Sequence, residues 1–489
     1  MSGTVEPKMD DKSGAAAVDR KQPELTSTHG FKKLQGKDIW AITPKAFTDD
    51  DSNDYGRPRS QRIGYLEGLR GLLALEVLLF SFFRLLAPAI QTDTDRDGTR
   101  PAPFVLNAPE WQNTLRKALS PLFWDGTLQA SFFMLLNGRV VVETFLERRT
   151  ATSVAGLAFR RPIRFFFPLA VSLAITTAVN ALGGFKQAGY FAAVENNEYA
   201  TPPQMWTSTI EYFNSLSGFF FATEDSYLDR GVQFVPPFPV MWFVPRVFMQ
   251  SFTCYTFSYM MPFILTKHKF WSLGLFALAT WWLGLWAWYS LTGLVLAELV
   301  IAYDLPGIAA QGIPIPVPAF ITKSKRVRMA SWLPPFVMMA TGIALKYLWV
   351  FFPARRNDEL IAHFGKNDGG LNYGFPVDTT AYPRVDDWLV AAGAMFLMEM
   401  FHVVRVAFDN PILKALARIS FRTIFLSLGT WLHQHLRHTQ GWQSEAALLG
   451  VEFAACIPLA LGSATVFHFV IEEPTIWFSR WLFKWLKEE

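Results

Sequence analysis

The stretch GLRGLLALEVLLFSFFRLLAP, residues 68–88, is apolar enough to cross a membrane as a helix. Arg70 stands at its start, and Glu76, Ser81 and Arg84 stand inside it. Each ionisable group placed in a membrane helix costs roughly 2.5–3.5 kcal/mol on insertion scales. A helix that keeps several of them predicts a polar face that meets either a partner helix or a ligand.

The composition of the whole chain indicates a membrane protein. The 489 residues are 51% hydrophobic and 16% aromatic, and only 18% are charged, which is too apolar for an ordinary soluble domain. The two cysteines, Cys254 and Cys456, both lie in apolar runs, which indicates buried thiols and not a disulfide framework. No Gly-rich phosphate loop, paired CxxC or HExxH motif occurs. We therefore expect no permanently bound cofactor, no metal and no nucleic-acid partner.

Apolar segments of roughly 20 residues predict an all-α, polytopic membrane protein with about ten transmembrane helices. The candidate spans are 70–90, 127–146, 164–184, 240–264, 270–288, 289–304, 331–352, 386–407, 419–437 and 446–471.

Basic residues alternate between the loops in a way that predicts the orientation. The regions before span one, after every even-numbered span and at the C-terminus are all basic, whereas loop 185–239 carries two basic residues against six acidic ones. The positive-inside rule then places both termini in the cytoplasm. Residues 1–60 are polar and lack apolar periodicity, which predicts a disordered cytoplasmic tail before a transmembrane domain at 61–489.

The polar positions of the first span form a line. Eleven residues turn an α-helix through about 1100°, so Arg70 and Ser81 share one face and lie about 16 Å apart along the axis. A ligand with a polyanionic head and a long thin arm would fit this line. Coenzyme A is such a ligand, with phosphates for an arginine and a thioester at the end of its arm.

The residues around this line carry a resemblance. YLEGLRGLLALEVLLFSFF resembles the first-helix signature of the acyltransferase 3 family, which comprises integral membrane O-acyltransferases. Five further segments are similar to motifs of that family and follow in the same order: SFFMLLNGRVVVETFLERR, FRRPIRFFFP, VMWFVPRVF, LARISFRTIFLSLGTW and FVIEEPTIWFSRWL.

The resemblance implies an enzyme that moves an acyl group, most simply acetyl, from acyl-CoA as co-substrate to a hydroxyl of a small molecule, sugar or lipid. Secondary metabolites are among the acceptors it allows, and membrane lipids surround the domain. It implies that Arg70 binds the donor, with Arg160, Arg161 and Arg164 lining the same mouth. The other positions that fall in the family's motifs are Asn137, Arg139, Trp242, Arg246 and Glu472, and we expect Glu472 to be structural, at the end of the last span.

The chain departs from the family pattern at the position of the catalytic base. The family's first helix carries R-x10-H, and Ser81 stands where the histidine is expected. A serine hydroxyl does not act as a base at neutral pH, whereas an imidazole can. His402, in the eighth predicted span, is the intramembrane histidine best placed in the sequence to replace it. We therefore predict Ser81 and His402 as the candidate catalytic residues.

Several less specific interpretations stand beside these. Arg70 could snorkel to lipid headgroups, the three arginines at 160–164 could be an ordinary positive flank, and His402 could be a packing residue. Glu76 and Arg84 could form an internal ion pair. The sequence HQHLRH, residues 433–438, does not place its three histidines on one helix face, so it predicts no metal site. At the level of function, the alternatives are a catalytically silent relative that binds acyl-CoA or lipid, and a transporter.

Overall fold

The computed structural model describes residues 63–91, 108–195, 197, 200–202, 206–221, 242–314, 328–356, 358–364, 382–416 and 428–488. The described chain is almost entirely helical. Its one pair of strands joins β1 (Ile313–Pro314) to β2 (Arg328–Met329) in antiparallel register, with Ile313 opposite Met329. The all-α prediction is confirmed, while the proposed tail at 1–60 lies outside the described residues.

The helices follow the predicted apolar segments in order. In the first part of the chain they are α1 (Gly64–Leu86), α2 (Glu110–Ala118), α3 (Ser120–Phe123), α4 (Gly126–Val141), α5 (Glu143–Arg148), α6 (Ala151–Ala181), α7 (Lys186–Val194), α8 (Thr209–Phe221), α9 (Phe243–Met260) and α10 (Thr266–Trp282). They continue with α11 (Ala287–Ile301), α12 (Leu305–Gln311), α13 (Leu333–Phe351), α14 (Asp358–Phe364), α15 (Val385–Met400), α16 (His402–Phe408), α17 (Pro411–Leu416), α18 (Thr430–Gln434), α19 (Glu445–Phe467) and α20 (Glu473–Glu488).

Fewer helices than ten are long and apolar enough to cross a membrane by themselves. Three qualify within the described residues: α6, α13 and the continuous helix Glu445–Lys487, which contains α19 and most of α20. Two bent pairs would raise the number to five, since α11 and α12 meet at 76° and α15 and α16 at 105°. Three to five candidate spans support a membrane protein with several transmembrane helices, whereas the described residues do not reach the predicted count of ten.

For three of the predicted spans, the shortfall has a local cause in the length of the helix. The helical pattern after Gly126 is broken at Val142, which leaves α4 with 16 residues, and α11 and α15 have only 15 and 16. A helix of 16 residues is about 24 Å long, less than the roughly 30 Å of a hydrocarbon core. Nearly half of the ninth predicted span, residues 419–427, lies outside the described residues.

Small residues allow the central helices to approach closely. A Cβ atom on Gly138 of α4 would lie 2.1 Å from the Ser290 carbonyl oxygen, and one on Gly293 of α11 would lie 2.1 Å from the Leu135 carbonyl oxygen. Such backbone contact is the usual way in which membrane helices pack, because lipid provides no hydrophobic drive between them. α1 packs against α4 and α15 through Leu69 and its neighbours.

Buried charges are paired between helices. Lys346 of α13 contacts Asp387 of α15 and lies 2.7 Å from Asp125, the residue that caps the N-terminus of α4. Glu298 of α11 is paired with Lys269 at 2.8 Å and with Arg149 at 3.2 Å. Charges this deep are tolerated only when they are paired, so these clusters fix helix positions.

Candidate functional site

Four arginines predicted to bind the donor come together where α1 begins. Arg70 lies in the second turn of α1 and is exposed, and Arg160, Arg161 and Arg164 lie on consecutive turns of α6. The charge of Arg70 acts on both Arg161 and Arg164, and the charges of Arg160 and Arg161 act on Arg164. We call these four residues the arginine cluster.

The arginine cluster contains little that offsets its own charge. Within the described parts of the chain, Arg70, Arg161 and Arg164 form no ion pair with a carboxylate. Arg160 donates to the Gly156 carbonyl oxygen at 2.7 Å, a bond to a neutral group. The positive charges of Arg70, Arg161 and Arg164, which form no ion pair among the described residues, repel one another, and this makes the cluster receptive to an anion.

Asn137 holds one arginine of the cluster in place. The Arg161 guanidinium donates to Asn137 Oδ1 at 2.5 Å, and Asn137 Nδ2 donates to Ser251 Oγ at 3.2 Å. The Arg161 guanidinium also lies 4.5 Å from the ring centre of Phe165. The motif position on α4 therefore orients an arginine of α6 and touches α9.

The remaining motif positions make contacts that stabilise the fold. Arg139 is buried and donates to Glu399 Oε1 at 2.7 Å, and the hydroxyl of Tyr65 donates to the other oxygen of Glu399 at 2.6 Å. Glu143 lies 3.9 Å from Arg139 on the same helix face. These contacts tie α1, α4 and α15 together next to the first turn of α1.

Three further motif positions, Trp242, Arg246 and Glu472, lie apart from the line on α1. The Arg246 guanidinium of α9 lies over the ring of Trp242 at 4.9 Å, a cation–π contact with the residue that precedes the helix. Glu472 lies 2.8 Å from His468 Nδ1, where α19 passes into α20. Both arrangements fit structural roles.

Ser81 is buried in α1, and its hydroxyl donates to the Val77 carbonyl oxygen at 2.8 Å. That bond within the helix satisfies the hydroxyl locally. The polar neighbours on α1 are also engaged, because Glu76 accepts from Gln129 at 3.2 Å and Arg84 lies 5.3 Å from the ring centre of Phe80. The polar side chains of α1 beyond Arg70 are thus engaged by contacts within α1 and with α4.

The structure does not bring His402 to Ser81. α15 ends at Met400, the chain bends by 105°, and His402 is an exposed residue at the start of α16. Both flanks of His402 meet the beginning of α1, since Glu399 accepts from Tyr65 and a Cβ on Gly68 would lie 1.7 Å from the Phe408 carbonyl oxygen. Ser81 lies thirteen residues beyond Gly68, about 20 Å along the axis. The prediction of an intramembrane base beside position 81 is therefore not supported for His402.

A different histidine is paired in a way that the sequence did not predict. His433 Nδ1 lies 2.7 Å from Glu452 Oε1, and both side chains are buried. The imidazole packs edge-on against Phe191 at 4.9 Å. His433 Nε2 has no hydrogen-bond partner among the described residues, although a carboxylate oxygen of Glu195 lies 3.9 Å away and pairs with Arg437 at 3.2 Å.

The His433–Glu452 pair lies beside the far end of α1. Phe453, next to Glu452, meets Phe82 with ring centres 5.5 Å apart, and a Cβ on Gly429 would lie 3.4 Å from the Leu86 side chain. The one available signal was Glu452 itself, a lone carboxylate in the middle of an apolar helix. Within the described residues, no three His, Cys, Asp or Glu side chains come together in a way that could hold a metal ion.

Comparison with known proteins does not identify a family for this chain. No protein-family model matches the chain, no curated protein matches it, and no solved structure matches it.

Proposed function

We propose that the protein is a multi-pass membrane O-acyltransferase of the acyltransferase 3 type, which moves an acyl group, most simply acetyl, from acyl-CoA to a hydroxyl group. The acceptor is a small molecule, a sugar or a lipid, with secondary metabolites among the possibilities. The observation that carries the proposal is the arginine cluster at the start of the polar line on α1. Guanidinium groups bind phosphate oxygens bidentately, and the head of coenzyme A carries three phosphate groups to meet them.

The position of the cluster suits a donor that arrives from water. α6 has 31 residues and is about 46 Å long, whereas a hydrocarbon core is about 30 Å thick. The excess equals roughly ten residues, and the arginines begin at the tenth residue of α6. The apolar remainder of the helix, Phe165–Ala181, is about 26 Å long, somewhat less than the core, so the arginines that precede it would lie at the membrane interface. The phosphates would then bind at the interface while the arm of the donor follows α1 inward.

We propose further that the chain crosses the membrane ten times, with both termini and the arginine cluster in the cytoplasm. The basic flanks support this orientation. Contacts between segments predicted to share the outer side are consistent with it, because Gln112 donates to Glu445 at 3.2 Å and Arg437 pairs with Glu195.

The orientation predicts which positions an impermeant thiol reagent can reach. Both natural cysteines are buried, so background labelling should be low. In sealed vesicles with the cytoplasmic face outward, Thr152→Cys should be labelled and Lys117→Cys should be protected until detergent is added. Both positions are exposed in the fold. Labelling of Lys117→Cys in the intact vesicles would contradict the orientation.

The reaction requires a proton acceptor near the thioester. The alcohol oxygen attacks the thioester carbonyl carbon, the alcohol proton passes to a base, and the carbon–sulfur bond breaks to release coenzyme A, whose thiolate is then protonated. In this proposal the base is His433, because Glu452 fixes its ring and leaves Nε2 without a hydrogen bond. Ser81 transfers no proton, since its hydroxyl is bonded to the Val77 carbonyl oxygen.

Removal of single arginines tests donor binding. Arg70→Ala and Arg161→Ala should each weaken coenzyme A binding by about 1.5–3 kcal/mol, the usual range for hydrogen bonds to charged groups. Titration calorimetry on the purified protein measures this change. Arg70→Lys should recover only part of the loss, since an ammonium group cannot hold a phosphate bidentately.

Arg148→Ala is the matched control for an ordinary positive flank. Arg148 is exposed at the end of α5, close in sequence to α6 but outside the arginine cluster. It should change coenzyme A affinity by less than about 0.5 kcal/mol, as expected of a surface charge outside the site. Equal, small losses for Arg70, Arg161 and Arg148 variants would show that the cluster is a topological flank and would refute donor binding.

One observation favours a second candidate function, a catalytically silent relative that binds acyl-CoA. The hydroxyl at the family's histidine position is bonded within its own helix, and α1 carries no histidine. This candidate predicts that coenzyme A binds with the arginine dependence given above while acetyl-CoA yields no product with sugars, sterols or phenols. Acyl transfer to any of these acceptors, lost in Arg161→Ala, would exclude it.

A further inference from the structure

The C-terminal helix α20 packs in an antiparallel manner against the start of α6. Phe478 of α20 meets Phe167 of α6 with ring centres 6.2 Å apart, and Phe483 meets Phe159 at 5.8 Å. The close fit depends on Gly156, where a Cβ atom would lie 2.8 Å from the Phe483 ring. These contacts set the register between the two helices.

The register brings Arg480 to the arginine cluster. Arg480 lies between Phe478 and Phe483, just as Arg164 lies between Phe159 and Phe167, and the charge of Arg480 acts on Arg164. Both side chains are exposed and so are accessible to a ligand from water. A fifth arginine thus joins the cluster from the other end of the chain.

Like charges on two helices that pack against each other are unfavourable unless an anion lies near both. Within the described residues neither Arg164 nor Arg480 forms an ion pair with a carboxylate. The acidic residues that precede Arg480 in sequence are engaged elsewhere, since Glu472 and Glu473 lie 2.8 Å and 3.5 Å from the nitrogens of His468. A carboxylate at position 480 would make the charge arrangement favourable, yet the chain has an arginine there.

We propose that Arg164 and Arg480 bind one phosphate group between them, and that this phosphate belongs to the coenzyme A donor, so that α20 forms one wall of the donor site. This inference rests on the proposed function and extends it to a residue that the sequence motifs did not assign. The helix Glu445–Lys487 is about 64 Å long, more than twice a hydrocarbon core, so α20 has the length to stand in water beside the cluster.

Charge reversal separates a ligand-binding role from a structural one. Arg480→Glu places a carboxylate opposite Arg164, which replaces a repulsion by an ion pair and should leave the unfolding temperature unchanged or higher. The same change should weaken coenzyme A binding by roughly 100-fold or more, because a bidentate ligand is lost and a negative charge is added. If Arg480 had only a structural role, the change would not weaken coenzyme A binding while leaving the unfolding temperature unchanged or higher.

Lys487→Glu is the matched control, since it makes the same charge change on the exposed last turn of α20. It should alter coenzyme A affinity by less than about threefold in 0.15 M salt, where distant surface charges are screened. Arg480→Gln, which adds no negative charge, should fall between the two, with roughly a 10-fold loss.

The experiment titrates full-length protein in phosphatidylcholine nanodiscs with coenzyme A, and repeats the titration with phosphatidylserine in the nanodiscs. Loss of affinity in Arg480→Glu but not in Lys487→Glu supports the inference. Normal affinity in Arg480→Glu with weak affinity in Arg161→Ala overturns it and leaves the proposed function standing. If the wild type fails to bind coenzyme A but Arg480→Glu reduces retention of phosphatidylserine, the phosphate is a lipid headgroup. In that case both the donor assignment and the proposed function fail.

Discussion

Replacing Lys346 by methionine is expected to lower the free energy of unfolding by about 3–5 kcal/mol, the usual cost of removing one partner from a buried ion pair. Methionine keeps much of the length of the side chain, so the packing of α13 changes little. The loss comes from the two carboxylates that remain. Asp125 and Asp387 are buried and both contact the lysine ammonium, so the variant leaves them without this cation.

Denaturant unfolding in detergent, followed by intrinsic tryptophan fluorescence, measures the effect. Lys117→Met, an exposed lysine on α2, should change stability by less than about 0.5 kcal/mol. A triple variant that combines Lys346→Met with Asp125→Asn and Asp387→Asn should recover most of the loss, because all three charges leave together and asparagine can still cap α4. A single variant as stable as the wild type would show that water reaches the cluster and that it does not hold α13 in place.

The sequence identified most helices but not where they break. The apolar segments that begin near 70, 127 and 386 correspond to α1, α4 and α15. The run MEMFHVVRVAF carries no proline or glycine, so nothing local predicts the bend after Met400. The bend follows from tertiary contacts, because Glu399 bonds to Tyr65 and Phe408 packs on Gly68 at the beginning of α1.

The candidate site likewise contains some residues that the sequence could predict and others that it could not. The arginines of α1 and α6 could be grouped from the sequence, because basic residues at the end of an apolar span are expected at the membrane interface. Arg480 and the His433–Glu452 pair could not, because each depends on two segments that meet only in the fold. His402 looked central because it lies inside an apolar run, and the bend moves it away from Ser81. The position of a residue within an apolar stretch of sequence is thus a weak predictor of its depth in the membrane when the helix can break.

The largest effect on activity is expected at His433. His433→Gln should lower the rate of acyl transfer about 10²–10⁴-fold, the range typical of a lost general base. Glutamine is close in size and can still donate to Glu452, so the local packing should survive. Coenzyme A affinity should stay within about twofold of the wild type, because the arginine cluster lies at the other end of α1.

His402→Gln provides the comparison, since it makes the same replacement at an exposed histidine that has no hydrogen-bond partner in the described part of the chain. It should retain at least about half of the wild-type rate, as expected for a change that touches no reacting group. Transfer from acetyl-CoA to sugars, sterols and phenols, followed by release of the free thiol, measures both variants at equal expression. Glu452→Gln should give an intermediate loss, because the ring of His433 keeps a hydrogen bond but loses the charge that stabilises the imidazolium. Loss of transfer in His402→Gln with a normal rate in His433→Gln would reverse the assignment. It would then place the chemistry at the cytoplasmic end of α1, beside Tyr65 and Glu399, where the arm of the donor would have no need to enter the membrane.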